Sequence, residues 1–306
     1  MNTLPYCYFP TSVCHIGNID SNHLKNRYLS FEPGKDNLIT PQSLPLLFDR
    51  LSCQGHDLFD LSSLNYLYEE VYNRRRYEAV SCLVYREKNL HIHGLALLQK
   101  LEDCHAKKIL VTQDKDEKKV VTAFNEGLIN FYVCTQDPKF NSLLEEFIQQ
   151  SQQAYFRDSV NALIHPLLEK WQRDNATLPA LLDPLFIKFL QAFIKDRTIT
   201  EYYLLDITGS FLLIDQHRQP SVLFVFTEQN FKEHGQAVDR FLQSNHRFAA
   251  EIVESLITRR QTICFPFIYP QGQVQVDRYI EPVQILEGQQ RYYIAHSRNV
   301  DYLREF

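Results

Sequence analysis

The residues of greatest chemical interest stand at the ends of short apolar runs. Arg86 follows the run 81–85, and Gly94 comes eight positions after it. Thr112 and Thr135 end or follow two later runs. A guanidinium carries a fixed positive charge and donates hydrogen bonds, but it is not a nucleophile. The pattern therefore predicts a charged site that forms no covalent bond at Arg86.

The apolar runs alternate with helical patterns, which is typical of βα units and a mostly parallel sheet. Gly127 is placed to end the helix 116–125 in a left-handed conformation. We predict a flavodoxin-like, five-stranded parallel sheet. Its strands are Val13–Ile16, Asn37–Thr40, Ala79–Tyr85, Lys108–Thr112 and Phe131–Cys134.

A helical insertion is predicted at 62–77, between the second helix and the third strand. It contains three consecutive arginines, Arg74, Arg75 and Arg76. A charge run of this kind is usually a solvated helix face, and we favour that interpretation. Binding of phosphate or of an acidic protein partner is the alternative.

A helical connector is predicted from residue 140 to 198. Ser142 and Glu145 have the spacing of a capping box. The apolar stripe that follows lies on one helical face and is either a homodimer seam or a core-packing face. Its members are Val160, Leu163, Leu167, Leu168 and Trp171.

The last part of the chain, 199–306, is predicted to be an α+β domain with an antiparallel sheet. Helices are expected at 228–242 and 248–259. The predicted strands are Tyr203–Asp206, Ser210–Asp215, Ser221–Phe226, Ile263–Tyr269, Val274–Ile280 and Tyr292–Ala295.

Composition excludes several classes of protein. The chain has 306 residues, 44% of them hydrophobic, and a formal net charge of −5. That charge gives no general attraction to nucleic acid, and no nucleic-acid-binding motif is present. No apolar run reaches the length of about 20 residues that a membrane span needs. Seven scattered cysteines without a C-x-x-C pair indicate buried free thiols, so we expect a cytoplasmic protein.

Signatures of catalysis and of metal binding are weak. We find no phosphate-binding loop, dinucleotide fingerprint or nucleophile elbow, so we expect neither an enzyme nor a cofactor. His91 and His93 have metal-ligand spacing, but no third ligand accompanies them, and exposed loop histidines are the preferred interpretation.

The segments 85–98 and 108–138 resemble the receiver domain of bacterial response regulators. In that family an aspartate accepts the phosphoryl group eight positions before a glycine, and counting back from Gly94 gives Arg86. The resemblance places the family's hydroxyl at Thr112, its lysine at Thr135, and its metal-binding acidic pair at Gly17 and Asn18. It implies a pseudo-receiver, because only the hydroxyl is retained.

The segment 201–215 is similar to the output region of a small group of response regulators that includes quorum-sensing members and lacks a helix-turn-helix. We therefore expect a pseudo-receiver at 1–139, the connector at 140–198 and an output domain at 199–306. The resemblance implies a non-catalytic signalling protein that binds protein partners. The alternative is a sensor of small molecules or nucleotides with a pocket in the C-terminal domain.

Overall fold

The computed structural model describes residues 4–16, 28–30, 79–87, 106–113, 117–244, 248–264 and 276–300. These residues form two compact units. The first unit contains residues 9–16, 28–30, 79–87, 106–113 and 117–162. The second contains residues 4–8 and the described residues from 163 onward.

Within this part of the chain there are thirteen strands and six α-helices. The strands are β1 (Cys7–Tyr8), β2 (Ser12–Ile16), β3 (Tyr28–Ser30), β4 (Val80–Glu87), β5 (Lys107–Thr112), β6 (Phe131–Cys134), β7 (Ile199–Leu204), β8 (Phe211–Asp215), β9 (Pro220–Thr227), β10 (Gln261–Ile263), β11 (Ile280–Pro282), β12 (Gln284–Glu287) and β13 (Arg291–Ser297). The helices are α1 (Glu117–Asn125), α2 (Phe140–Phe156), α3 (Ala162–Asn175), α4 (Pro184–Asp196), α5 (Glu228–Ser244) and α6 (Ala250–Ile257).

The first unit contains a sheet of five parallel strands in the order β3-β2-β4-β5-β6. Its central strands are apolar because both faces are covered, as is usual for parallel sheets. Four of the predicted strands coincide closely with β2, β4, β5 and β6. The predicted strand Asn37–Thr40 lies outside the described residues, and Tyr28–Ser30 pairs with β2.

Helix α2 packs on one face of this sheet. Leu144 and Ile148 join Val84 and Val111 in a buried cluster. The opposite face receives α1, where Val120 contacts the cluster around Leu110.

Two helix ends test the predictions made from sequence. The capping box at Ser142 is wrong, because α2 begins at Phe140 and its N-cap, Lys139, makes no side-chain capping bond. The predicted glycine end of α1 is confirmed, since Gly127 has a φ of +70°.

The second unit contains a six-stranded sheet in the order β1-β7-β8-β9-β13-β12. The predicted meander is confirmed by the antiparallel pairs β7–β8 and β8–β9. The prediction of a strand over 274–280 is wrong for 276–279, which form a 3₁₀ helix, whereas Ile280 begins β11. Strands β1 and β12 were not predicted, since each is too short to show a periodicity.

The predicted fold class is confirmed as mixed α/β, with a parallel sheet and a separate antiparallel sheet. The domain boundaries at 139/140 and 198/199 stay predictions. Of the helices described, none has both the length and the apolar character needed to cross a bilayer.

Candidate functional site

The carboxyl ends of β4, β5 and β6 form one edge of the parallel sheet. Thr112 ends β5 and is fully buried. Thr135 follows β6, and its backbone N–H donates to the carbonyl oxygen of Thr112 at 2.9 Å. The structure therefore brings these two predicted site residues together.

Arg86 lies at the same edge, near the end of the central strand β4, and is half-buried. The order of the strands reverses its direction between β2 and β4. Crevices outside the carboxyl ends of strands at such a switch point are the usual ligand sites of open α/β sheets. The position of Arg86 is thus suited to meeting an anionic group.

The strand register separates Arg86 from Thr112. The Cα partner of Arg86 is Val111, whereas the partner of Thr112 is Glu87. Side chains alternate between the two faces of a strand, so Arg86 shares the face of Val84, on which α2 packs. The side chain of Thr112 belongs to the other face.

Glu87 was not singled out from the sequence. The spacing of eight residues to Gly94 selects its neighbour Arg86, whereas a spacing of seven would select Glu87. The register of parallel strands is the information that the sequence lacked.

The remaining predicted site residues lie mostly outside the described part of the chain. Gly17 and Asn18 do so, as do the arginines at 74–76 and the histidines at 91 and 93. In the described ranges, no group of three potential ligand side chains is arranged to hold a metal ion.

A buried polar network fixes α2 to the amino edge of the same sheet. The hydroxyls of Thr11 and Ser81 lie 2.5 Å apart. The side-chain amide of Gln152 donates to the Thr11 hydroxyl at 3.2 Å. Such bonds are costly to leave unmade in a buried place, so this network helps to hold α2 in position beside the strands that carry the site.

The apolar stripe predicted for the connector is largely buried in a single chain. Trp171 is 8% exposed and Leu168 is fully buried, while Leu167 is half-buried. The side chain of Leu163 lies outside the described atoms. The burial of Trp171 favours core packing for that residue, and the homodimer seam stays a prediction.

A second group of buried polar side chains joins α4 to the β12–β13 hairpin. Asp183 is fully buried and caps α4 by accepting from the Leu185 N–H at 2.9 Å. Its other oxygen accepts from the Gln289 N–H at 2.6 Å. The pKa of Tyr292 is raised, mainly by burial and to a smaller extent by the charge of Asp183. Asp183 therefore holds the start of α4 against the β12–β13 turn, which is a structural role.

The helices α5 and α6 are joined by an ion pair. Both terminal nitrogens of Arg259 donate to the Asp239 carboxylate, at 3.1 and 2.7 Å. Arg259 has a φ of +60° and also donates to the carbonyl of Leu256 at the end of α6. Beside this pair, His234 stacks on Phe226 with ring centroids 4.9 Å apart.

Comparisons with known proteins give one informative similarity. No protein-family model matches the chain, and no curated protein sequence matches it either. The structure is similar to that of a bacterial response regulator. That protein is LqsR of Legionella pneumophila, which is 25% identical with a TM-score of 0.64, covering 96% of this chain and 88% of LqsR.

A pilus-assembly-related protein from Burkholderia pseudomallei also aligns with 47% of this chain, at 12% identity. Its TM-score of 0.27 is too low to carry an argument. The similarity to LqsR supports a response-regulator-like signalling protein and gives no positive sign of catalysis.

Proposed function

We propose that this chain is a response-regulator-like signalling protein that acts by binding protein partners, and that its receiver, with Arg86 at the acceptor position, cannot be phosphorylated. The observation that carries the proposal is the position of Arg86 near the carboxyl end of the central parallel strand. The similarity of the whole chain to a response regulator supports it.

The chemistry of the residues supports this proposal. An acyl phosphate forms only on a carboxylate, and the protonated, delocalised guanidinium of Arg86 is a poor nucleophile towards phosphorus. The proposed degenerate pocket consists of Gly17, Asn18, Arg86, Thr112 and Thr135. In it a fixed positive charge takes the place of a regulated negative one, so the pocket would stay in one electrostatic state.

Intact-mass measurement after incubation with acetyl phosphate and Mg²⁺ tests the proposal. We expect no gain of a phosphoryl group and no shift in melting temperature with beryllofluoride. A phosphorylatable response regulator treated in parallel serves as the positive control.

The variant Glu87→Gln belongs in the same experiment, because Glu87 is the register partner of Thr112. A stoichiometric adduct on the natural chain that is lost in Glu87→Gln would overturn the proposal. It would also identify the acceptor.

The remaining parts of the chain have proposed roles that follow from this function. Residues 140–198 would connect the receiver to an output domain at 199–306 that does not bind DNA. The proposed partners are proteins in the cytoplasm, including a second copy of this chain. The candidate interaction residues are Arg74, Arg75, Arg76, Leu163 and Leu167, without Trp171, which is buried.

A further inference from the structure

The helical stretch from Phe140 to Asn175 contains an irregular turn near its middle. Helix α2 ends at Phe156, residues Arg157–Asn161 form a π-helix, and α3 begins at Ala162. A π-helical turn hydrogen-bonds i to i+5 and is rare outside single turns within α-helices. The regular hydrogen-bond ladder is therefore interrupted at 157–161.

Pro166 causes a second interruption, one turn further along. Proline has no N–H, so the bond that residue 166 would donate to the carbonyl of Ala162 is missing. The proline ring also crowds that carbonyl, and sharp helix bends occur mainly at prolines and at π-turns. Both causes fall between residues 157 and 166.

Both sides of this segment are firmly anchored. On the α2 side, Phe156 is fully buried and meets the ring of Phe9 edge-on, with centroids 4.7 Å apart. On the α3 side, Leu168 is fully buried. Within the segment, Val160 and Ile164 are buried as well, at 0% and 1% exposure. The segment therefore differs from its flanks in its backbone hydrogen bonds, which the π-turn and Pro166 interrupt, and not in its burial.

One polar contact between the segment and the sheet is weak. Asp158 pairs with Lys107 of β5 at 2.5 Å, and the Asp158 side chain is 53% exposed. Ion pairs at this exposure contribute about 0–1 kcal/mol. This pair can therefore break without loss of the sheet.

The division between the two compact units falls inside the same segment, between residues 162 and 163. We propose that residues 157–166 are a hinge, a segment of the helix whose backbone hydrogen bonds open more easily than those on either side. The inference rests on the helix alone and does not depend on the proposed signalling function.

Amide hydrogen exchange on the full-length chain tests the hinge. We expect amides in 157–166 to exchange at least about tenfold faster than those in 144–156 and 167–175, because hinges open locally at low free-energy cost. Equal protection along the whole stretch would overturn the proposal.

Pro166→Ala restores the missing donor and removes the ring. We expect this variant to slow exchange in 157–166 by roughly threefold or more, with no change at 144–156. Lys170→Ala, an exposed change on the same helix, is the matched control and should leave the segment unchanged. Unaltered exchange in Pro166→Ala would refute the role assigned to the proline and with it the hinge.

Discussion

The Asp183 carboxylate accepts a hydrogen bond of 2.6 Å from the backbone N–H of Gln289, 106 positions later in the chain. The same carboxylate caps α4 through the Leu185 N–H. One buried side chain therefore joins a helix start to a hairpin turn. The hairpin is close enough that a Cβ on Gly288 would overlap the Asp183 carboxylate.

Asp183→Ala is expected to lower the free energy of unfolding by about 3 kcal/mol, because two buried N–H groups lose a charged acceptor and α4 loses its cap. Asp183→Asn should cost less, since the amide oxygen still accepts one bond. Urea unfolding followed by circular dichroism measures both variants. Asp196→Ala, an exposed aspartate at the end of the same helix, is the control and should change stability by less than about 0.5 kcal/mol.

Gly288→Ala tests the close approach from the other side. We expect a loss of about 1–3 kcal/mol, since an added methyl group in a packed place forces a backbone shift. In the Asp183→Ala background the same change should cost clearly less. An equal cost in both backgrounds would show that the carboxylate is not what the methyl group meets.

The effect of Gly235→Ala on the free energy of unfolding should have opposite signs in the presence and absence of the Arg259 side chain. A Cβ on Gly235 would lie 2.6 Å from Nε of Arg259. Gly235→Ala is therefore expected to destabilise the natural chain by displacing the guanidinium from Asp239. In the Arg259→Ala background it should stabilise by about 1 kcal/mol, which is the gain in helix propensity. A double-mutant cycle in urea measures the coupling, and additive effects would contradict the packing described.

Acid should weaken the second unit through His234. Burial lowers the pKa of this histidine from the ordinary 6.5 to about 4. A hydrogen bond with the backbone of Ile263 opposes this shift, and the charge of Arg259 adds a smaller lowering. As pH falls from 6.5 towards 4, the unfolded chain therefore binds a proton that the folded chain does not. Stability contributed by the neutral ring is lost across that window, by about 3 kcal/mol in total.

In the variant His234→Gln, the free energy of unfolding should depend less steeply on pH within that window. The slope should decrease by the amount that corresponds to about one bound proton. His15 is buried and His296 half-buried, and desolvation lowers both pKa values to about 4, so part of the slope remains. Urea unfolding at several pH values gives the slope of the unfolding free energy against pH. The variants are compared by this slope and not by their absolute stability. The exposed His217→Gln is the matched control, and a slope unchanged in His234→Gln would contradict the expectation.

Self-association is tested at Leu167, whose side chain is half-buried on α3. We expect light scattering to give twice the chain mass of 36.1 kDa. Leu167→Glu should return the mass to that of one chain, because a charge at an apolar seam is strongly unfavourable. Lys170→Glu is the control for an added carboxylate on the same helix. A monomeric natural chain excludes the homodimer seam.

Much of the fold was predictable because its strands are long apolar runs. Apolar runs predict β4, β5 and β6 at residues 79–85, 108–112 and 131–134. In the meander of β7 to β9, polar turns separate the strands. Strand β1 has only two residues, and its pairing with β7 depends on tertiary contact that no local pattern encodes. The 3₁₀ helix at 276–279 shows the same limit, because a short apolar alternation fits several backbones.

The sequence predicts that the candidate site residues lie at strand ends, but it does not predict which residues of neighbouring strands pair. The sequence located Arg86, Thr112 and Thr135 at strand ends, and the structure finds all three at one edge. Which residue of β4 lies opposite Thr112 depends on how neighbouring strands slide along each other. That offset is set by core packing on both faces, so the pairing of Glu87 with Thr112 appeared only with the coordinates.

The position of β1 has a consequence for how the molecule is made. Cys7 pairs with Tyr203, so the start of the chain supplies an edge strand to a sheet whose other strands are synthesised last. During synthesis β1 cannot pair until β7 has been made, about two hundred residues later. Contacts so distant in sequence form slowly. Deletion of Cys7 and Tyr8 should therefore disturb the sheet to which β7 belongs.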